Sequence, residues 1–317
     1  MTVIPVIVCA KNEERAIGAT LEALVAACEH AEARSSFRYD VRVVLDDTID
    51  GTAAVARRHA RITLLESRGG KVEAQRTGLQ SSAPAPFAIF CDADVRPSDD
   101  ALLALSLLLD SRPELQVATC PLLPLPPRRR TPLAAALHTY NLRRGFSSSR
   151  SWFNGKLFAM RAWDVPARVE LAARIAALPS DPFYEFSAGL VIDDIFLSRA
   201  VVLAHGPAAL AETACGVVLF RAPETWRGMH RYYRRMRREL ERLDLLFPET
   251  VQAHRQHGRR SPDLLPAAPW RERMQYALFA SALVACKAAY VTERAFVRHV
   301  RRKPRDSWPA IEETKTW

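Results

Sequence analysis

Asp92-Ala93-Asp94 places two carboxylates one residue apart, directly after the apolar run Phe87-Ala88-Ile89-Phe90-Cys91 and before Val95-Arg96-Pro97. The run has the length and composition of a buried strand, so the acids emerge where it stops. Hard oxygen ligands in this arrangement suit Mg2+ or Mn2+ that is itself bound to a diphosphate. Ligands of open α/β sheets collect at the carboxyl ends of the strands. An Asp-x-Asp also arises in loops by chance, so its meaning depends on what accompanies it.

Several other clusters accompany it. Ala10-Lys11-Asn12-Glu13-Glu14 follows a strand-like run and can hold a base or a ribose; the plainer alternative is a helix N-terminus with Asn12 as its cap. Asp46-Asp47-Thr48-Ile49-Asp50-Gly51-Thr52 follows a second run. A carboxylate there can accept the N3–H of a uracil ring, while Asp50 or Thr52 can equally cap the next helix. Gly69-Gly70-Lys71 frees the backbone to approach an anion and adds a point charge, without the spacing of a Walker loop. Further along, Asn154-Gly155 has the composition of a turn, and Asp193-Asp194 opens a helix that continues Ile195-Phe196-Leu197. From Trp226 to Arg238, His230, Arg234 and Arg238 share one helical face and Arg231 and Arg235 another, a pattern that also fits a solvated basic surface.

The elements that must position these groups alternate. Apolar runs at 3–9, 41–45, 62–65 and 87–91 read as strands. Helical spacing at 12–28, 52–59, 71–79 and 99–109 separates them. Alternation of this kind predicts parallel βαβ units and a doubly wound, mostly parallel sheet, an α/β fold. After residue 120 the rhythm changes: a Pro-rich stretch and Arg128-Arg129-Arg130 lead into a helix from Thr131, and 131–220 reads as mixed. Helices are expected at 224–245 and 270–300, with an exposed loop at 249–268 between them and no internal repeats.

Composition narrows the classes. With 317 residues, 49% hydrophobic and 25% charged, the chain can bury a sizeable core, which excludes disorder as the default. Its net charge of +10 and pI near 9.6 favour anionic partners. The cysteines, Cys9, Cys28, Cys91, Cys120, Cys215 and Cys286, lack CxxC spacing and read as reduced thiols of a cytoplasmic protein. The residues after Met1 read as a strand rather than a signal peptide. The most apolar stretch, 274–285, is followed by Lys287 and reads as too short for a bilayer of about 30 Å. A buried or interfacial helix is the expectation. Arg294, Arg298, Arg301, Arg302 and Lys303 behind it leave room for peripheral contact at the inner face of a membrane. His254 and His257 have no evident partners in the sequence, and Tyr184-Glu185-Phe186 could shape an acceptor pocket.

The ordered set Asn12-Glu13, Asp46 to Thr52, Gly70-Lys71 and Asp92/Asp94 resembles the nucleotide-binding half of GT-A glycosyltransferases, family 2 above all. The resemblance covers residues 3–110 well and reaches about 240 more loosely. It implies a 1–220 GT-A domain, with a nucleotide half at 1–110, an acceptor half at 111–220, and a basic helical region 221–317 packed on it. It implies nucleotide contacts from Ala10, Lys11, Asn12, Glu13, Asp46, Gly70, Lys71, Asp92 and Ala93, and a Mn2+ or Mg2+ ion on Asp94 and Asp92. Asn154-Gly155 corresponds to a small-residue turn beside the donor sugar. Asp194 corresponds to the general base, with Asp193 orienting the acceptor. His230 and Arg234 fall near an element that contacts the diphosphate, although its Trp is absent here.

The implied activity is inverting transfer of a sugar from a nucleotide donor, UDP-linked by expectation, to a hydroxyl of a small-molecule or lipid-linked acceptor, an anionic one in view of the basic charge. A sugar-phosphate nucleotidyltransferase would place a Gly-rich loop after the first strand, where this chain has no glycine before Gly18. A nucleic-acid binder fits the Arg-rich helix but not the acidic strand ends. A membrane-surface scaffold without catalysis is the remaining alternative. Sugar, acceptor and oligomeric state are not specified by the sequence.

Overall fold

The computed structural model describes residues 2–145, 152–184, 193–257, 269–300 and 311–315. Expectations resting on Glu185, Phe186, Val191, Ile192, residues 258–268, Arg301, Arg302 and Lys303 lie outside the described residues. In chain order the elements are β1 (Thr2–Ala10), α1 (Ile17–Glu32), β2 (Phe37–Asp46), α2 (Thr52–Ala56), β3 (Ile62–Ser67), α3 (Lys71–Gln80) and β4 (Ala88–Asp92). There follow β5 (Val95–Pro97), α4 (Ala101–Ser111), β6 (Val117–Thr119), β7 (Leu122–Pro124), α5 (Pro132–Gly145), β8 (Leu157–Met160) and α6 (Arg168–Ala176). The remainder comprises α7 (Asp193–His205), β9 (Leu210–Glu212), β10 (Val218–Phe220), α8 (Trp226–Leu246), α9 (Pro248–His257) and α10 (Trp270–Val300).

The main sheet has the order β3-β2-β1-β4-β8-β6-β9. Strands β1 to β4 pair in parallel, and β8 runs antiparallel between β4 and β6. A parallel sheet is covered on both faces, which is why β1 reads as one continuous apolar run. Alternation divides the strand residues between two cores. Val6, Val8, Val43, Ile89 and Cys91 pack with Leu21 and Leu24 of α1 and Leu105 of α4. Ile7, Val44 and Phe90 pack on the other face with Val72 of α3, Leu197 of α7 and Leu243 of α8.

Register then fixes what meets at the edge. Ala10 lies opposite Leu45, Asp46 opposite Ser67, and Cys9 opposite Asp92, so β1, β2, β3 and β4 end in line. Leu157 of β8 faces Cys91, and the Asp92 N–H donates to the Lys156 carbonyl at 2.8 Å, which brings 154–156 to the same edge. A small sheet of order β5-β10-β7 begins directly after Asp94. Its middle strand leads through Phe220 to the start of α8, above the same edge.

Three expectations need correction. The first helix begins at Ile17, not at residue 12: Asn12 has φ of 54°, outside the helical range, and its Oδ1 accepts the Ile49 N–H at 2.9 Å to brace the loop after β2. The expected loop at 249–268 opens with a helix, α9, whose N-terminal Pro248 suits a first turn. Finally, α10 is long and apolar enough, by length and composition, to cross a membrane, so shortness does not exclude that. One of its faces is nevertheless used in packing. Phe279, Ala282 and Cys286 cluster with Ala136 and Leu137 of α5 and Met229 of α8.

Close approach of α3 to the sheet depends on Gly78. A Cβ there would stand 2.6 Å from Ile7 Cγ2 and 3.3 Å from Val44 Cγ2, both fully buried. Gly78→Val should therefore cost about 1–3 kcal/mol of stability by overpacking. Urea unfolding measures it, and an unchanged midpoint would show that the α3–sheet contact is looser than described.

Candidate active site

Lys71, the first residue of α3, occupies the middle of the edge. Its Nζ stands 2.9 Å from Asp92 Oδ1 and 3.1 Å from Asp193 Oδ1. Gly70 precedes it with φ of 96°, a left-handed conformation that glycine adopts without strain, and this turns the helix start toward the acids. Burial alone would push the ammonium's pKa down, but Asp193, Asp92 and Asp194 together hold it well above its ordinary value. The lysine is therefore a fixed positive charge.

Asp193 is almost wholly buried, and its other oxygen accepts Gln75 Nε2 at 2.5 Å. Gln75 Oε1 in turn accepts the Trp163 indole N–H at 3.3 Å. Both Asp193 oxygens are thus engaged within the protein. Asp194, next along α7, holds its carboxylate with the Gly155 N–H on Oδ2 and the Ile195 N–H on Oδ1, both at 3.0 Å. Gly155 is required for that approach, since a Cβ there would lie 2.8 Å from Asp194 Cβ. Asn154 anchors the turn by donating to Thr119 Oγ1 at 2.8 Å and to the Cys120 carbonyl at 3.1 Å. Burial, reinforced by the neighbouring Asp193, raises the Asp194 pKa to about 6, the range of a group that can accept a proton near neutrality.

On the opposite side, Asp46 is buried at the end of β2. It accepts the Gly70 N–H at 2.9 Å and lies 3.5 Å from Lys11 Nζ. Asp47, in a left-handed conformation, is half exposed and 4.0 Å from Lys11 Nζ. Glu13 is paired with Lys315, and its Oε2 is buried without a hydrogen-bond partner. Burial and then the charge of Asp94 lift the Glu13 pKa to about 7. Asp94 itself makes no hydrogen bond or ion pair among the described residues. Ala93 is buried between the acids, and its carbonyl accepts the Thr20 hydroxyl at 2.9 Å.

His230 and Arg234 lie elsewhere. The His230 ring stacks on Trp226, and Arg234 pairs with Glu293 of α10 at 3.0 Å. On α8, burial pulls the Arg235 pKa down, while Tyr232 and then Asp94 and Asp92 favour its charge. Lys156 also belongs here: burial opposes its charge, but Asp94 and Asp92 raise its pKa. Its Nζ lies 5.1 Å from the Phe220 ring centre. Gln75 could have been found from its i+4 spacing to Lys71 on one helix face. Trp163, Lys156 and Lys315 carry no sequence signal of this kind.

A divalent cation fits this edge on two observations. Asp94 offers a carboxylate without a hydrogen-bond or ion-pair partner among the described residues, and the Glu13 carboxylate beside it has a bare oxygen. Among the described residues no group of three or more His, Cys, Asp or Glu side chains could hold a metal. One or two carboxylates completed by substrate phosphates and water are the usual arrangement for Mg2+.

Residues 6–159 match the family described as Glycosyl transferase family 2. No curated protein matches the chain in sequence. In fold the chain is similar to a mannosyltransferase from Pyrobaculum calidifontis in complex with GDP-Man and Mn2+, with 22% identity, a TM-score of 0.51, and coverage of 93% of this chain and 80% of that one. It also aligns with glucosyl-3-phosphoglycerate synthase from Mycobacterium tuberculosis in complex with Mn2+, UDP and phosphoglyceric acid, at 16% identity, a TM-score of 0.47 and 78% of each chain.

The Asp194 environment has a signed consequence for stability. Its folded pKa lies above the ordinary carboxylate value, so its favourable contribution is complete below about pH 4 and is lost as pH rises through about 6. Asp194→Asn removes that loss. Its stability relative to the unsubstituted protein should improve by about 2 kcal/mol between pH 4 and pH 8. Denaturant titrations at both pH values measure this; a pH-independent difference would mean that Asp194 ionises normally.

Proposed function

We propose that the chain, whose residues 6–159 match glycosyl transferase family 2 and whose fold is GT-A-like, is a glycosyltransferase that transfers a sugar from a nucleoside diphosphate donor to an acceptor hydroxyl with inversion, using Asp194 as the base. One observation carries the reading: Lys71 joins Asp92, at the end of the nucleotide half, to Asp193, at the start of the helix that bears Asp194. Donor-side and base-side acids thus belong to one cluster. The donor is UDP-linked in this reading, with Asp46 at the end of β2 and Lys11 just past the end of β1 as the base-recognition pair and Asn12 and Glu13 beside them.

Mn2+ or Mg2+ would be held by Asp94, with Asp92 and Glu13 nearby, and would supply charge neutralisation for the departing diphosphate. Lys71 and Lys156 add fixed cations on the same side. Asp92, held by Lys71, orients the edge of the site. Asp194 accepts the proton of the acceptor hydroxyl as its oxygen attacks the anomeric carbon from the face opposite the diphosphate. The C–O bond to the diphosphate breaks in the same displacement, so no covalent sugar intermediate forms. Asp193, spent on Lys71 and Gln75, fixes the position of its neighbour. The chain's net charge of +10 supports an acceptor that carries an anionic group.

Two measurements test this. A thermal-shift series of nucleoside diphosphates with Mn2+ should give its largest rise with UDP, since ligands that bind the native state stabilise it. Asp94→Ala should weaken the Mn2+-dependent part of that binding at least about tenfold. Retention of full Mn2+-dependent binding would remove the ion from Asp94, and a preference for GDP would reassign the base.

We also propose cytoplasmic peripheral attachment to an anionic membrane surface through α10, whose Trp270, Met274, Val284 and Phe296 are exposed. Binding of the Met274→Glu/Val284→Glu variant to vesicles containing phosphatidylserine should fall at least about tenfold, the scale of removing two buried apolar side chains. Equal binding of both proteins would refute it.

A further inference from the structure

The segment after α10 returns to the nucleotide edge. Residues 311–315 dock on the start of α8: Ile311 is buried, and Glu313 Oε1 accepts the backbone N–H groups of Glu224 at 3.1 Å and Thr225 at 3.3 Å. The Thr225 hydroxyl, which also caps α8, donates to the same oxygen at 3.1 Å. Space for this carboxylate comes from Gly228. A Cβ at that position would overlap Glu313 Oε1. A glycine inside a helix costs roughly 1 kcal/mol relative to alanine, so its presence here is matched by what it admits. From this anchor the Lys315 ammonium pairs with Glu13 Oε1 and lies 3.5 Å from the Asn12 carbonyl, with both charged side chains largely buried.

The charges explain why a cation is needed there. Asp46 has Lys11, and Asp92 has Lys71. Glu13 has Lys315. An anionic diphosphate can approach such a group of acids only when their charge is offset. Resting on the donor site proposed above, we propose that Lys315 is a donor-positioning residue: the 311–315 segment forms a wall of the nucleotide site and neutralises Glu13 so that the nucleoside diphosphate can bind.

The test compares Lys315→Ala, Lys315→Arg and Gly228→Ala with the unsubstituted enzyme. Dissociation constants for UDP and GDP with Mn2+ are measured by calorimetry, alongside donor KM, kcat and the melting temperature of the ligand-free protein. Lys315→Ala should raise Kd and donor KM together by about tenfold, more than it lowers kcat, the scale of losing a hydrogen bond between charged groups. Lys315→Arg should restore most of the affinity. Gly228→Ala, by displacing Glu313, should reproduce the loss with Lys315 intact. Unchanged or tighter nucleotide binding by Lys315→Ala would overturn the proposal, as would a fall in melting temperature and kcat with KM unaltered. If the unsubstituted protein binds neither nucleotide, the donor site itself is misassigned; if it binds and Lys315→Ala binds equally well, only the role of Lys315 fails.

Discussion

The Lys71 ammonium between Asp92 and Asp193 is the contact on which the site depends. Three side chains from β4, α3 and α7 meet there, two of them substantially buried. Breaking one arm would leave a charge stranded in a region that burial makes costly, by about 3–5 kcal/mol for a buried pair. The contact has to be maintained by the elements behind it. Gly78 lets α3 lie close to β1 and β2, the left-handed Gly70 aims the start of that helix, and Gln75 closes the remaining oxygen of Asp193. Phe196 and Leu197 seat α7 in the core on the same face of the sheet.

Given that pin, the division of labour among the acids follows from their partners. Asp46, Asp92, Asp193 and Glu13 are each paired with a lysine, Asp92 and Asp193 sharing Lys71. Asp94 and Asp194 are not, and they differ in kind. Asp94 has no hydrogen bond or ion pair among the described residues and suits a cation. Asp194 is held by two backbone N–H groups, but burial beside Asp193 keeps its proton affinity high. Similar carboxylates on one sheet edge thus acquire different chemistry from their surroundings.

Much of this was legible in the sequence because it depends on periods and strand ends. The apolar runs of β1, β2 and β4 announce a parallel sheet, and residues just past each run must share an edge once the strands are in register. Asp92 could be named for that reason, Gly70-Lys71 from glycines and a charge ahead of a helix, and Asp193-Asp194 from the family resemblance. What could not be read depends on long-range packing. Asn12 looks like a helix cap but takes a left-handed turn, because its side chain braces the β2–α2 loop. Helical spacing placed His230 and Arg234 on one face of α8 but could not say which face the cleft would see; Asp94 favours the charge of Arg235. The strands β5, β7 and β10 are three residues each, too short for any period to register. Lys315 meets Glu13 across 302 positions, a contact that only the folded chain creates.

The most direct test is a crystal structure of the protein with Mn2+ and a nucleoside diphosphate, collected where manganese scatters anomalously. The expected result is a manganese peak on Asp94, bridged to the diphosphate, with Lys71 between Asp92 and Asp193 and Asp194 facing the space beyond the phosphate. A peak away from Asp94, or a nucleotide bound outside the cleft between Asp46 and Asp194, would contradict it.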